Sequence, residues 1–463
     1  MATAQQVEQD IALYPSTITP PARPLPAYKF FWKFLRNPLS VLPQQVYEEP
    51  IVLYRSPAGM TVVWVTDPEL TEQVLQNKED VFVKTPLEKR VFSRSLREGV
   101  LTADGPQWRW QRRVISPVFR HAELLGYVPT ISQSGNELVE RWRRGGRAVR
   151  RIDRDMTDVT FTVVARTLLA GGEPAESDAI KRAGTTYLSH IPWEMVWELL
   201  HLPDWLPHPA VWQLNRSART MRRSAGNIIE RRRATAETDN DLLGRLLAAR
   251  DPDTGAPMDD EMLIDNLLTL LVAGHETTAK ALTWALYLLA RAPQWQARLR
   301  EEVRQVAGDA PIDAVHLEQL VAVDRVLKET MRLYPPAPVI ARRPVRDTEL
   351  AGLPIPADSQ VVIPMYCVHR HRALWDDPDR FEPDRFSTNR AAGMPRTQYM
   401  PFGAGARTCI GMSFAMIEAK ALLATFVRSA RFEWDGRHMP QPVSRITLRP
   451  QGGMPLFVSC DDS

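Results

Sequence analysis

Residues 402–411 read FGAGARTCIG, and this stretch decides how the rest of the chain is interpreted. It is a glycine-rich loop that places Cys409 at the start of a predicted helix, Gly411–Ser429. Backbone N–H groups at a helix amino terminus favour negative charge and lower the pKa of a thiol, so Cys409 is suited to act as a thiolate ligand. Gly403 and Gly405 allow the backbone to turn tightly and to approach a flat partner, and Arg407 can pair with a carboxylate on that partner.

The alternative interpretation of this loop is a buried structural thiol, the usual environment of an isolated cysteine. Five fixed residues at this spacing are expected by chance in 463 residues only on the order of once in ten thousand. The segment resembles the heme-binding loop of the cytochromes P450, whose pattern is Phe-x-x-Gly-x-Arg-x-Cys-x-Gly. The resemblance implies heme b (iron protoporphyrin IX) as the cofactor and Cys409 as the axial thiolate of its iron, a ligand that favours O–O cleavage. It also implies that Phe402 and Gly403 lie against the heme and that Arg407 binds a propionate.

A second motif, Ala273-Gly274-His275-Glu276-Thr277-Thr278, lies inside the apolar segment Met262–Ala290, which is predicted to be a helix of roughly 40 Å. Glycine inside a helix costs about 1 kcal/mol relative to alanine, and threonine hydroxyls can bond back to carbonyls and bend the helix. The motif is either an ordinary kink or a place where a ligand must fit. The resemblance implies a groove for dioxygen, with Ala273 against the heme and Thr277 and Glu276 as an alcohol–acid pair that supplies protons.

A third motif is Glu329-Thr330-Met331-Arg332, followed by Tyr334-Pro335-Pro336. Its two charges are three residues apart and face each other on a helix. Such a pair is usually a solvated surface bridge worth little. In the family the pair is completed by an arginine from a Pro-x-Arg-Phe loop, here Pro383–Phe386. The resemblance therefore predicts that Glu329, Arg332 and Arg385 form a buried structural triad.

Further heme contacts are implied around Trp108. Trp108 and Arg112 share a helix face at i, i+4, where the alternative is a core tryptophan beside a surface arginine. The family uses such a pair to bind a propionate. Arg342 matches the third propionate arginine, although the adjacent Arg343 could take that role instead.

Outside these motifs the pattern predicts a mainly α protein with a minor β region, and the resemblance makes it a single prism-shaped domain over residues 26–463. Residues 1–25 are predicted to be a flexible amino-terminal segment. Helix-like spacing covers Tyr28–Leu42, Pro68–Asn77, Trp108–Phe119, Glu137–Arg143, Asp155–Leu169, Leu214–Arg233, Asp241–Ala249, Trp295–Val306 and Ala322–Leu333. Strand signals lie at Ile51–Val65, around a turn at 57–59, and at Leu350–Pro364, with loops at Ala234–Asp239 and Pro378–Phe386.

Composition narrows the possible partners and the compartment. The net charge of +3, from 58 basic and 55 acidic residues, is too even to indicate nucleic-acid binding. Three cysteines provide no disulfide framework and fit a reducing compartment. Neither a signal peptide nor a membrane span is evident. We therefore expect a soluble, bacterial-type, cytoplasmic and monomeric protein.

The implied reaction is monooxygenation: one oxygen atom from O2 is inserted into an apolar small molecule, by hydroxylation or epoxidation. Electrons are expected from a ferredoxin and an NAD(P)H-linked ferredoxin reductase, which Arg109 and Arg113 would steer. The tryptophan-rich stretch Trp193–Trp212 is either core packing or a mobile lid over the substrate channel. Val339 and Ile340 are candidates to line the pocket.

Two rival functions share these motifs. A peroxygenase driven by hydrogen peroxide would not need the Glu276–Thr277 pair, so the presence of that pair argues against it. A heme-binding sensor or carrier would bind gas and form no product. A separate possibility, a metal site at Cys367, His369 and His371, lacks a second ligand pair at zinc spacing.

Overall fold

The computed structural model describes residues 12–55, 61–77, 80–169, 174–199, 202–203, 205–235, 241–251 and 253–460. Its α-helices are α1 (Ala27–Arg36), α2 (Pro68–Gln76), α3 (Pro86–Leu96), α4 (Gly105–Ile115), α5 (His121–Leu124), α6 (Val128–Arg144), α7 (Ile152–Leu169), α8 (Pro174–His190), α9 (Pro192–Leu199), α10 (Val211–Thr235), α11 (Leu242–Ala248), α12 (Asp260–Arg291), α13 (Pro293–Ala307), α14 (Ala314–Gln319), α15 (Val321–Leu333), α16 (Met365–Val368), α17 (Thr388–Ala391) and α18 (Met412–Ser429). The prediction of a mainly α fold is confirmed.

The strands are short and form small sheets. They are β1 (Ile51–Arg55), β2 (Thr61–Val65), β3 (Phe82–Val83), β4 (Ala148–Arg151), β5 (Ile340–Pro344), β6 (Thr348–Leu350), β7 (Leu353–Ile355), β8 (Gln360–Ile363), β9 (Ala430–Glu433), β10 (Pro442–Ser444), β11 (Leu448–Pro450) and β12 (Pro455–Cys460). One sheet has the order β1-β2-β8-β5-β3, with β2 and β8 parallel. A second sheet has the order β4-β12-β9, and β6-β7 and β10-β11 are antiparallel pairs.

Helix α12 is the axis of the fold. Its 32 residues span about 48 Å at 1.5 Å per residue, and its amino terminus is capped by the Asp259 side chain, which accepts from the Met262 N–H. It packs against α7, α10, α15 and α18, which makes it the centre of the larger hydrophobic core. The helix is unbroken through residues 273–278, so the backbone carries the glycine and the threonines of the motif without leaving helical geometry.

The amino-terminal segment differs from the prediction. Residues 1–11 lie outside the described part of the chain, but the stretch from Leu13 to Ile18 is bonded to the body of the protein. The Tyr334 hydroxyl donates to the Ser16 carbonyl at 2.8 Å, the Ile18 N–H donates to the Tyr366 hydroxyl at 3.1 Å, and Ile18 belongs to the core. The prediction of a flexible segment up to residue 25 did not include these hydrogen bonds, which distant tyrosines supply.

Several other elements differ from the predicted bounds, or were not predicted at all. Helix α1 ends at Arg36 rather than Leu42, because Asn37 is extended ahead of Pro38, and Pro38–Val41 continues as a 3-10 turn. Helices α3, α8 and α9 were not predicted, and Pro383–Phe386 forms a 3-10 turn within the predicted loop. The turn at 57–59 and residues 236–239 of the predicted loop at 234–239 lie outside the described residues.

Candidate heme-thiolate site

The Cys409 loop is held by short-range backbone bonds just before α18. The Cys409 N–H donates to the Phe402 carbonyl at 2.9 Å, and the Gly403 N–H donates to the Met400 carbonyl at 2.9 Å. The Thr408 hydroxyl donates to the Gly405 carbonyl at 2.8 Å. The Cys409 side chain is exposed. These bonds fix the direction of the thiol without using any polar atom of the thiol itself.

The two loop glycines are needed for different reasons. Gly403 and Gly405 have φ angles of +71° and +70°, a region that residues with a Cβ rarely adopt. A Cβ on Gly405 would lie 2.2 Å from the Leu75 carbonyl oxygen at the end of α2, whereas one on Gly403 would lie 3.5 Å from Ile340. The close approach predicted for Gly405 is therefore to protein backbone rather than to a flat ligand.

The pKa of the Cys409 thiol is raised overall, although a backbone N–H at the start of the helix lowers it as the helix position predicts. Burial is the largest cause, and it outweighs the Gly411 N–H and the Arg112 charge, which both lower the pKa. The Cys409 side chain has accessible surface, but protein atoms surround it closely enough to desolvate the thiol. We infer from these two facts that the thiol faces an enclosed space. A cation in that space would stabilise the thiolate, since coordination to a metal deprotonates a thiol.

A cluster of cations lies beside this loop. Arg407 lies over the Trp108 ring at 4.3 Å, forms an ion pair with Asp104 and donates to the Ala103 carbonyl at 3.0 Å. Burial, and then the neighbouring Arg342, lower the pKa of Arg407 even though Asp104 opposes the shift. Arg112 on α4 is also desolvated, and its pKa is lowered by burial while Cys409 raises it.

Arg342 and Arg343 have different surroundings. Arg342 is only 9% exposed, and its Nη1 lies 3.8 Å from a Glu88 carboxylate oxygen, whereas Arg343 pairs with the exposed carboxylate of Asp358. The buried cluster therefore includes Arg342 and leaves Arg343 at the surface.

Lys84 is a member of the cluster that the sequence analysis missed. It is 5% exposed and paired with Glu88. Burial lowers its pKa, and Arg342 and Arg407 lower it further. A lysine next to the apolar strand β3 was the available signal. Together Lys84, Arg112, Arg342 and Arg407 outnumber the carboxylates of Glu88 and Asp104, so the cluster has surplus positive charge that fits a dianionic group such as two propionates.

The centre of α12 presents one accessible face. Ala273 is exposed and Thr277 is half-buried, whereas Gly274 faces Val164 of α7, and His275, Glu276 and Thr278 are buried. The Thr277 hydroxyl donates to the Ala273 carbonyl at 3.0 Å. Within the motif it is therefore Ala273 and Thr277 that remain accessible, while the other residues face neighbouring elements.

The structure does not join Glu276 to Thr277 by a hydrogen bond. The Glu276 carboxylate accepts from the Thr447 hydroxyl at 2.9 Å, and Arg449 lies 3.8 Å from the same oxygen. Thr447 and Arg449 belong to the β10–β11 region. The acid predicted from the motif is thus turned toward this hairpin.

A second acid near the motif was not predicted. Glu418 on α18 is fully buried, and burial raises its pKa well above the usual value. Neither of its carboxyl oxygens has a hydrogen-bond partner in the part of the chain that the structure describes, so the surroundings favour the uncharged form of this carboxyl.

The structure brings Glu329, Arg332 and Arg385 together. Arg332 and Glu329 are both fully buried and form two hydrogen bonds, of 2.7 and 2.8 Å, and the Arg385 Nε lies 3.5 Å from the same carboxylate. Arg332 also donates to the backbone carbonyls of His369, Pro378 and Arg380. The network ties α15 to the segment that precedes the Cys409 loop.

The tryptophan-rich stretch also carries a buried acid, Glu194. Glu194 on α9 is 1% exposed, and its carboxylate pairs with Arg94 at 2.8 Å, with Arg90 at 3.3 Å and with the His208 Nε2 at 3.1 Å. Trp197 packs beside His208 and donates to the Leu206 carbonyl at 2.9 Å, whereas Trp205 is 81% exposed. We refer to Glu194, Arg90, Arg94 and His208 as the α3–α9 network.

This chain is similar to known proteins over most of its length. The cytochrome P450 family model matches residues 20–457. Cyclooctatin synthase of Streptomyces melanosporofaciens is 33% identical over 392 residues, which cover 84% of this chain and 83% of that protein. The 11-oxo-beta-amyrin 30-oxidase of Glycyrrhiza uralensis is 30% identical over 419 residues, with 86% and 78% covered. A crystal structure of the heme domain of cytochrome P450DA superposes with a TM-score of 0.83 at 25% identity, covering 97% of this chain and 99% of that one.

The Cys409 loop, the cationic cluster beside it and the accessible residues of α12 together form the candidate site. The chain belongs to the cytochrome P450 family. It is accordingly an oxidoreductase of the monooxygenase type with heme as its cofactor. Among the described residues, none of the helices has the length and hydropathy needed to cross a bilayer.

Proposed function

We propose that this enzyme inserts one oxygen atom from O2 into an apolar small molecule, by hydroxylation or epoxidation, with electrons from a separate redox partner. The observation that carries the proposal is the Cys409 thiol, which is desolvated, faces an enclosed space and has the cationic cluster beside it. When bound, the heme supplies the oxygen-activating chemistry.

In this proposal the residues of the loop and cluster hold the cofactor. Cys409 would supply the thiolate ligand of the iron, and Phe402 and Gly403 would contact the cofactor. Arg407, Arg342, Arg112 and Trp108 bind the carboxylates, and Lys84 adds a buried charge to them. Glu329, Arg332 and Arg385 act on the fold rather than on the reaction.

We propose that Thr277 and Glu276 supply protons to the reaction. The Thr277 hydroxyl lies on the accessible face of α12 together with Ala273, where it can donate to a ligand after leaving the Ala273 carbonyl. Glu276 is turned to Thr447 and Arg449, so it must change its rotamer to reach the same space. The pair would therefore work by a side-chain rotation rather than through a fixed hydrogen bond.

An acidic ferredoxin, with its NAD(P)H-linked reductase, is the proposed electron donor. Arg109 and Arg113 on α4 are 53% and 50% exposed, although Asp80 and Asp253 partly neutralise them. Charge reversal of both arginines should slow reduction by a ferredoxin at low salt, measured by stopped-flow, because steering depends on charge. Unchanged rates would contradict this docking surface. We further propose a cytoplasmic monomer.

The substrate is proposed to be apolar and to enter under the stretch Trp193–Trp212. Val339 and Ile340 lie at the start of β5 and are 36% exposed and half-buried, respectively. The relatives are named as oxidases, hydroxylases and a synthase, which supports the reaction class and leaves open the particular compound.

The test is the absorbance spectrum of the dithionite-reduced, carbon-monoxide-bound protein, for the wild type and for Cys409→Ser. A strongly red-shifted band in the wild type that is lost in the variant is the expected result. A band typical of histidine ligation in the wild type would overturn the proposal. Turnover that is faster with hydrogen peroxide than with electron donors would replace the monooxygenase with a peroxygenase.

A further inference from the structure

Helix α1 concentrates aromatic side chains, of which two are exposed and three are half-buried. Its ten residues, AYKFFWKFLR, contain Tyr28, Phe30, Phe31, Trp32 and Phe34. None of these five belongs to, or packs against, either hydrophobic core within the described part of the chain. Tyr28 and Trp32 are 65% and 62% exposed. Exposed large aromatics that are this concentrated are unusual on a monomer and mark an interaction site.

The charge around this helix has one sign. Between residues 12 and 47 the sequence contains Arg23, Lys29, Lys33 and Arg36 and no aspartate or glutamate. In the part of the molecule that the structure describes, these four cations form no ion pair with a carboxylate. On a helical wheel Tyr28, Trp32 and Arg36 follow one another at i, i+4, with Lys29 and Lys33 alongside, so aromatic and basic side chains share the exposed face.

The attachment of α1 leaves this face free. The Asn37 amide donates to the Pro442 carbonyl at 2.9 Å, and its oxygen accepts from the Ser444 N–H at 3.1 Å. Arg445 donates to the Leu35 carbonyl at 2.7 Å. The carboxyl end of the helix is thus bonded to the β10–β11 hairpin, while the aromatic residues before it have no such anchor.

We propose that α1 docks the enzyme on an anionic membrane surface, with Tyr28 and Trp32 in the headgroup region and Lys29, Lys33 and Arg36 on the lipid charges. Interfacial helices combine tryptophan and other bulky apolar residues with lysine and arginine in this way. Tryptophan and tyrosine are also the side chains that favour the boundary between water and lipid. The uniform positive charge selects an anionic surface, and the short helix confines the contact to the interface. The proposal does not depend on the reaction catalysed.

The test uses the full-length heme-loaded protein and cosedimentation with vesicles. The wild type should bind mixed phosphatidylglycerol–phosphatidylcholine vesicles, bind pure phosphatidylcholine vesicles far less, and dissociate as salt is raised. Lys29→Gln with Lys33→Gln should lower the partition coefficient roughly 30-fold, since each lysine near an anionic surface contributes about a five-fold effect. Trp32→Gln with Tyr28→Gln should lower it about ten-fold.

Matched controls lie elsewhere on the surface. Trp205 is 81% exposed and the Arg182 side chain is 73% exposed, so Trp205→Gln and Arg182→Gln should bind vesicles as the wild type does. The reduced carbon-monoxide spectrum of every variant should be unchanged, which separates docking from folding. Absence of wild-type binding to anionic vesicles would overturn the proposal. So would equal losses in the control variants, or capture of the protein by polyglutamate with no binding to lipid, which would indicate an acidic protein partner.

Discussion

The two buried carboxylates Glu329 and Glu194 show how differently the two sides of this molecule are built. Glu329 lies on the side of the Cys409 loop and is fully buried. It accepts two hydrogen bonds from Arg332 and one from the Glu382 N–H at 2.8 Å. Arg332 in turn donates to three backbone carbonyls. Both charges are therefore satisfied by hydrogen bonds to backbone as well as to each other.

The α3–α9 network is equally buried but less completely bonded. Glu194 accepts a hydrogen bond from Arg94, while Arg90 approaches it only as an ion pair at 3.3 Å. Its partners are side chains on α3 and a histidine on the loop before α10, and none of them is a backbone N–H group in the described part of the chain. A network made of side chains from separate segments can open when one segment moves. From this contrast we infer a rigid scaffold behind the cysteine and a contact between α3 and the tryptophan-rich stretch that can separate.

The largest effect should come from Glu329→Gln. Removing this charge leaves Arg332 fully buried without a counter-charge, which typically costs about 3–5 kcal/mol. We expect a fall of that size in the free energy of unfolding, measured by urea denaturation, and reduced heme content. Glu137→Gln is the control, because Glu137 makes a bidentate pair with Arg166 at the surface and should cost less than about 1 kcal/mol. Equal effects for the two variants would remove the scaffold role.

Gly405→Ala should be next in size. The new Cβ meets the Leu75 carbonyl oxygen at 2.2 Å and the residue keeps a φ of +70°, so we expect a loss of about 2–4 kcal/mol from overpacking and backbone strain. Gly436→Ala isolates the strain, because its φ is +73° and its added Cβ would have no neighbour within 4 Å. Denaturation midpoints of the two variants measure the difference. Similar losses would mean that the contact with α2 is unimportant.

Acid should destabilise the cysteine side through His369. Its Nε2 accepts from the Met400 N–H at 3.0 Å, and burial, followed by the charges of Arg332 and Arg370, lowers its pKa to about 3. The unfolded histidine has a pKa of about 6.5, so the unfolded state binds the proton first as the pH falls. Stability contributed by the neutral ring is complete above about pH 6.5 and falls by about 2 kcal/mol by pH 5. The check is the free energy of unfolding, measured by urea denaturation from about pH 5 to about pH 8. His369→Gln should flatten its dependence on pH, and an unchanged dependence would contradict the role given to His369.

Of these variants, Glu194→Gln should have the smallest effect on the free energy of unfolding. It should have the largest effect on the rate at which a small molecule reaches the heme site. Losing the carboxylate charge should cost about 1–2 kcal/mol, less than Glu329→Gln, because the segments can separate and hydrate Arg90, Arg94 and His208. Binding of 4-phenylimidazole to the heme protein, followed by stopped-flow absorbance, should become several-fold faster. Trp205→Gln in the same segment is the control and should leave that rate unchanged. A loss of stability as large as that of Glu329→Gln, with normal binding rates, would erase the contrast between the two sides.

Motifs that act through local spacing could be read from the sequence. The Cys409 loop, the α12 motif and the Glu329–Arg332 pair were located by residue type and interval, and the mainly α architecture followed from helical periodicity. The cationic cluster was predicted only in part, because Lys84 joins it through the contact of β3 with β5, which no interval in the chain encodes. Helix α3 was missed because its polar residues make ion pairs to α9 rather than an apolar stripe.

The sequence by itself determined the family and the cofactor, because a loop with fixed spacing and a glycine-dependent turn encodes them locally. Only the tertiary structure decided how those groups behave. Burial by distant elements raises the pKa of Cys409 despite its place at a helix amino terminus. Thr447, 171 positions from Glu276 in the chain, turns that acid away from Thr277. Desolvation and long-range hydrogen bonds depend on which segments meet in space, and these meetings are set by packing of the whole fold.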